Sequence, residues 1–297
     1  MGKRVCEIVA ERVLEELKKG EIPWQKPWFG CDRYVSHASG KHYSLLNCIL
    51  LGQPGEYITY DQARAEGGNV KKGTEGKMVV YWKITKKQAT DKNGVPVTDE
   101  DGEPVMKTVP ILRYYKVFNV NDCENIKKKY LNDDDTRCIH EKDMGAEEII
   151  DRYMAANEGL RLFREEKSNR AFYRPSEDFI QVPNMEQFEK LEEFYSTLFH
   201  EMTHSTGHWT RLGRFKEDVK LAAFGSEDYS KEELIAELGA AALCGKCGIE
   251  SESSFRNSAA YIQGWMEAIK NDPNLLVSAA GKADKAVEFI LGEEEAA

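Results

Sequence analysis

No stretch of this 297-residue sequence stays apolar for the roughly 20 residues a membrane-spanning helix needs; runs such as Ile49–Leu51 or Met78–Trp82 stop far short. Cysteine is sparse and odd in number, seven residues scattered over the chain. That count excludes a disulfide scaffold and fits reduced thiols in a cytosol. Proline is scarce at nine residues, and with 41% hydrophobic and 31% charged residues the composition excludes collagen and intrinsic disorder. The opening MGKRVCEIVAERVLEELKKG lacks the continuous apolar segment of a secretory leader. It also has Cys6 where a myristoylation signal requires Ser or Thr. A cytoplasmic protein without a membrane partner is the expectation.

An excess of basic charge is missing too, since the net charge is −10. The deficit is uneven. Residues 1–130 hold 22 Lys and Arg against 17 Asp and Glu, or +5, while residues 131–297 hold 19 against 34, or −15. The second half repels a polyanion and the first tolerates or attracts one, so a nucleic-acid surface is expected in the N-terminal part.

Periodicity places an amphipathic helix over residues 4–19, stopped by Gly20. The two prolines of IPWQKPWFG then hold Trp24 and Trp28 in a non-helical segment around Lys26. YSLLNCILL (43–51) reads as a buried helix, YITYDQARAEGG as a strand and a helix, and KMVVYWKIT and ILRYYKVFNV as strands. The repeated turns NGVPV and DGEPV between those strands imply a solvent hairpin or loop. A polar stretch with KKK and DDD follows, which places domain boundaries at 1–125, a linker at 126–145 and a second domain at 146–297. That second domain reads as helix-rich: helices at 146–157, 185–206, 231–244, 257–271 and 279–291, with a hairpin around the Pro-Ser-Glu-Asp turn. The expected fold class is α+β in two domains.

The string that carries chemistry is His200-Glu201-Met202-Thr203-His204. On a helix, two histidines four apart lie about 40° apart around the axis and one turn along it, so both imidazoles can reach one metal. A chance HExxH is expected on the order of once in a hundred chains of this composition. Leu191, Tyr195, Leu198 and Met202 fall on the opposite face and are expected to pack. Catalytic zinc takes three protein ligands and an open position for water. The metzincin spacing fails, because Thr210 stands where its third histidine belongs, and His208 comes two residues too early and reads as structural. The remaining candidates are Glu233 and Glu237 in KEELIAELGAA, which share a face of the next helix. One would bind the metal and the other orient a histidine, in either assignment. Glu232 reads as solvated. Zinc, or another divalent ion, would activate a water whose proton Glu201 accepts, which implies peptide hydrolysis. The extended run Phe179–Val182 reads as either core or an edge strand for substrate backbone. Cys244 and Cys247 read as buried thiols, and Tyr261 and Trp265 as packing residues.

GEIPWQKPW, YSLLNCILL, KKGTEGKMVVYWK and RYYKVFNVNDCE resemble the N-terminal domain of the ArdC antirestriction family, shared with plasmid TraC primases. TLFHEMTHSTGHWTRLGR, EELIAELGAA and YIQGW resemble that family's zincin-like metallopeptidase domain. The resemblance covers nearly the whole chain and no primase domain is appended. It implies a plasmid- or mobile-element-encoded protein that binds single-stranded DNA and protects incoming DNA from restriction during conjugation, with a host protein as a possible peptidase target. A non-catalytic strand-coating protein with a structural or degenerate metal site is the alternative, and a plain protease with a protein-binding N-terminal domain is a third. Single strands are held by stacking on aromatics and by cations along the backbone. The candidates are Trp24, Trp28, Tyr43, Tyr81 and Trp82 with Lys26, Lys71, Lys72, Lys77, Lys83, Arg113 and Lys116. Strand residues alternate faces, so about half of the aromatics are expected in the core.

Overall fold

The computed structural model describes residues 3–19, 22–25, 33–92, 94–131, 145–164, 170–188, 190–216, 227–249 and 259–293. It begins with helix α1 (Val5–Lys18), whose first turn is closed by the Glu7 carboxylate accepting from the Arg4 amide at 2.8 Å. A short turn at Pro23–Gln25, strand β1 (Tyr34–Ser36) and helix α2 (Leu45–Leu51) follow. Every residue of α2 is buried, as its continuous apolar sequence demands, and Gly52 ends it at φ +71. Strand β2 (Gly55–Ile58) leads to helix α3 (Tyr60–Ala65), which Thr59 and Gln62 cap reciprocally. After β3 (Asn69–Val70) come the long strands β4 (Lys77–Gln88) and β5 (Met106–Asn119), and then β6 (Cys123–Glu124). One sheet has the order β1-β2-β5-β4, with β1 and β2 parallel and the others antiparallel, and β3 pairs with β6.

Strand β4 is an edge, and its open backbone is covered in an instructive way. Asn47, the polar residue inside the apolar helix α2, donates to the Val80 carbonyl at 2.9 Å and accepts from the Val80 amide at 2.7 Å. A side-chain amide thus substitutes for a neighbouring strand. Met78–Val80 of β4 are buried, and from Tyr81 onward the strand is exposed or half-buried, where the hairpin leaves the core. Beyond it, Gly94 and Gly102 take positive φ in two successive turns, closed by the Asp91 and Asp99 side chains. The expected solvent hairpin is therefore an ordered double turn.

The second half runs α4 (Ala146–Ala156), β7 (Arg161–Phe163), β8 (Phe172–Arg174), β9 (Phe179–Gln181), α5 (Leu191–Ser205), α6 (Glu227–Lys246), α7 (Ala259–Asn271) and α8 (Leu275–Leu291). The helix expected from 185 starts only at Leu191. Asn184 and Gln187 close a separate turn at Met185–Gln187, and the extended Phe188 packs on Phe194 with ring centroids 5.6 Å apart. The small sheet has the order β7-β9-β8. The run Phe179–Val182 therefore is no edge strand: β9 is hydrogen-bonded on both sides, and the edges are β7 and β8. Leu191, expected to pack, is 50% exposed because it occupies the first turn of α5, beyond the packed part.

One hydrophobic cluster runs through both halves, from Val9 in α1 to Leu291 in α8. Trp24 stands edge-on to Trp265 at 5.6 Å, and Asp284 of α8 accepts from the Leu45 amide at the start of α2 at 3.0 Å. Residues 132–144, most of the expected linker, lie outside the described residues, as does the side chain of Tyr261. Cys6, Cys48, Cys123, Cys244 and Cys247 are buried free thiols. Among the described residues no helix is long and apolar enough to cross a membrane.

Replacing Asn47 by Leu leaves the Val80 amide and carbonyl buried without partners, at about 1–3 kcal/mol each. Thermal or urea unfolding of Asn47→Leu is expected to show a loss of at least about 1 kcal/mol; an unchanged midpoint would contradict the edge-covering role.

Candidate metal centre and nucleic-acid surface

Helices α5 and α6 lie face to face because their contact residues are small. A Cβ built on Gly239 of α6 would stand 2.6 Å from the Thr203 side chain of α5, which itself donates to the Phe199 carbonyl at 2.8 Å. Ala236 and Ala240 are buried beside it. The Ala and Gly residues of KEELIAELGAA thus bring the carboxylates of α6 against the histidines of α5.

His200, His204 and Glu233 converge. The Nε2 atoms of the two histidines are 3.0 Å apart, and the Glu233 oxygens lie 3.6 Å from His200 Nε2 and 3.4 Å from His204 Nε2. A tetrahedral ion with ligands at about 2.0–2.2 Å requires donor separations of about 3.3–3.6 Å. The two carboxylate separations fall in that range and the histidine pair is a few tenths of an ångström closer, and among the described residues these three are the group able to hold a metal ion. Burial disfavours charge on His204, but Glu232, Glu233 and Glu201 outweigh it and push its pKa up to about 10. Glu233, despite its own burial, is held below the usual carboxylate range by His200 and His204. The cluster is thus built around positive charge at its centre.

The far nitrogens of both imidazoles also meet carboxylates. Glu237 Oε1 lies 3.6 Å from His200 Nδ1, outside the converging group, and Glu232 Oε1 lies 3.4 Å from His204 Nδ1. Glu232 is therefore not the solvated residue its neighbours suggest. Arg214 grips it at 2.7 Å and also donates to the Thr203 carbonyl and the Thr206 hydroxyl, both at 2.8 Å. Arg214 ties the carboxyl end of α5 to α6. A Glu beside Glu233, facing a helix end followed by a basic residue, was the available sequence signal for this pair. Glu201 is 2% exposed, in direct electrostatic reach of His204. His208 is stacked on Trp209 and paired with the Thr210 hydroxyl at 2.7 Å, apart from the metal-capable group. A second network holds α5 to the small sheet: buried Arg211 binds Asp178 and the Ser205 carbonyl.

The candidate nucleic-acid residues separate by exposure. Trp24 is fully buried against Trp265 and is unavailable for stacking on a base. Tyr43 is half-buried, edge-on to Tyr57. Lys26 and Trp28 lie outside the described residues. Lys71, Lys72, Lys77, Lys83, Arg113 and Lys116 are exposed, with Lys71 also donating to the Asn121 carbonyl. Tyr81 and Trp82, neighbours on opposite faces of β4, are both exposed, at 45% and 55%. Alternation alone would bury one of them, but the hairpin projects from the core and both faces meet solvent. Tyr81 pairs across the ladder with Arg113 and packs on Tyr115. Strands β4 and β5 also carry Lys86, Lys87 and Lys107, and contain neither Asp nor Glu.

Two family models match the chain. Residues 148–282 match a zincin-like metallopeptidase, and residues 3–118 match the N-terminal domain of the anti-restriction factor ArdC. Over 97% of its length the chain is 36% identical to a DNA primase TraC of Escherichia coli, but it spans only about a quarter of that protein, 27%. It is 28% identical to the uncharacterized protein y4eC of Sinorhizobium fredii, covering 92% of that sequence. The metal-free crystal structure of the antirestriction ArdC protein from the R388 plasmid superposes with a TM-score of 0.72 at 31% identity, covering 96% of both chains. The Mn(II)-bound structure of that protein gives 0.71 at 29% identity over 98% of both.

Two outcomes are expected of this geometry. Metal analysis of purified protein should find one divalent ion per chain, abolished by His200→Ala or Glu233→Gln and weakened about 10- to 100-fold by Glu237→Gln; full occupancy in Glu233→Gln would contradict the donor set. Gly239→Ala should cost about 1–3 kcal/mol by overpacking against Thr203, read as a lower Tm, and should lower metal affinity with it; wild-type values for both would deny the close approach.

Proposed function

Because the chain belongs to the ArdC antirestriction family, we propose that it is an antirestriction protein that binds single-stranded DNA through its N-terminal part, residues 1–125. On this reading residues 146–297 form a zinc metallopeptidase-like domain, and the protein protects incoming plasmid DNA from host restriction during conjugation. The observation that carries the metal half is the spacing of His200 Nε2, His204 Nε2 and Glu233, 3.0–3.6 Å from one another. The Mn(II)-bound relative supports a divalent ion in the same role. The acid-free, lysine-bearing strands β4 and β5 with exposed Tyr81 and Trp82 support the DNA half.

An ion held by His200, His204 and Glu233 would supply Lewis-acid polarisation of a carbonyl and acidify a water. Glu201 accepts the proton of the attacking water and returns it to the departing amine. Glu237 and Glu232 fix the tautomers of His200 and His204, so that each presents Nε2 as the donor. Arg214 holds Glu232 in place for that task.

The burial of the cluster favours a second reading. His200 is 4% exposed, Glu201 2% and Glu233 6%, whereas a catalytic site keeps an open position for substrate. In that reading the metal is structural and protection comes from coating the strand.

A restriction-protection assay with recipient cells separates them. Wild-type protein should raise the yield of incoming DNA in a restriction-proficient host, and no gain would sink the antirestriction reading. Glu201→Gln should retain its zinc and its single-strand binding and lose protection if proteolysis is used; protection undiminished, with zinc still bound, decides for coating.

A further inference from the structure

A cleft of about 770 Å³ separates the exposed end of the β4–β5 hairpin from the first turns of α1 and α8. Its size falls within the roughly 300–1,000 Å³ of small-molecule sites. Trp82, Pro110 and Leu112 line it from the hairpin, with Trp82 and Leu112 directly opposed in the ladder and so on one face. Val5 and Val277 line it from the helices. Lys3 and Arg4 bring cations to it from the start of α1, while Arg113, paired with Tyr81, borders it from the other face of the hairpin.

We propose that this cleft binds one nucleotide unit of single-stranded DNA, the base stacked on Trp82 and the flanking phosphates held by Lys3 and Arg4, so that helix α8 of the C-terminal half forms one wall of the DNA site. The inference rests on the single-strand-binding reading above and extends it beyond the N-terminal part. An apolar floor with a large exposed indole and two cations on the facing helix matches a flat base on a charged backbone. Lys3 is paired with Glu11 and Arg4 with Glu7, but both cations are well exposed, with side chains 63% and 64% accessible. Exposed pairs of this kind contribute little, so a phosphate can replace the carboxylate at small cost. Asn274 and Ser278 border the cleft where α8 begins, and the amino end of a helix carries its positive pole.

The test is fluorescence anisotropy of the full chain with a labelled oligothymidylate over a range of salt. Trp82→Ala should weaken binding about 10-fold. Ser278→Glu, an exposed change on α8 that puts a negative charge in the cleft, should weaken it several-fold. Arg4→Glu should flatten the salt dependence by about 0.7 per lost phosphate contact. If wild type fails to bind the oligonucleotide, the single-strand reading itself falls. If wild type binds and Trp82→Ala and Ser278→Glu bind equally well, the cleft serves another ligand and the proposal is overturned. Loss in Trp82→Ala with none in Ser278→Glu also overturns it, because the strand then lies on the hairpin without reaching α8.

Discussion

The close approach of α5 and α6 at Thr203 and Gly239 is the constraint on which the candidate metal centre depends. Two histidines on one helix define only two corners of a coordination shell, and the third must come from a different element held at a separation of a few ångströms. The Gly239 contact brings α6 near enough for Glu233 to supply it. The same approach sets Glu237 and Glu232 against the outer nitrogens of the two imidazoles, so two turns of α6 bracket the pair. A cluster this rich in carboxylate is costly to bury unless positive charge sits within it. His204 and Arg214 supply part of that charge, and a divalent ion at the centre would complete the balance.

Around that centre, the carboxyl end of α5 is tied down twice. Arg214 caps its carboxyl end and binds Glu232, while Arg211 joins the Ser205 carbonyl to Asp178 on the turn between β8 and β9. These bonds join helix, sheet and the metal-capable side chains, which is what a tetrahedral site would need if its donors are to stay within a fraction of an ångström of their places. The N-terminal half is locked to the same unit through Trp24 against Trp265 and through Asp284 at the start of α2. The hairpin projects from this shared core with its aromatics and lysines uncovered.

Much of this was legible in the sequence because it is local. The i, i+4 histidines, the apolar α2, the long strands and the Gly and Ala stripe of α6 all follow from periods of 3.6 and 2 within a dozen residues. The misreadings concern neighbours distant in the chain. Phe179–Val182 reads equally well as edge or centre, because nothing in it records that β7 and β8 flank it. Glu232 looks solvated until Arg214, a full loop away, is placed beside it. Trp24 and Trp82 are alike as residues in positively charged neighbourhoods, yet one fills the core and the other meets solvent.

The sequence by itself determined that one helix carries two imidazoles and an acid on a common face, and that the adjacent helix offers carboxylates and small residues, since both are consequences of helical geometry. Only the tertiary structure decided which carboxylate meets the two Nε2 atoms and which aromatics remain uncovered. Those outcomes depend on how elements far apart in the chain pack together, and a helical or strand period carries no information about that distance.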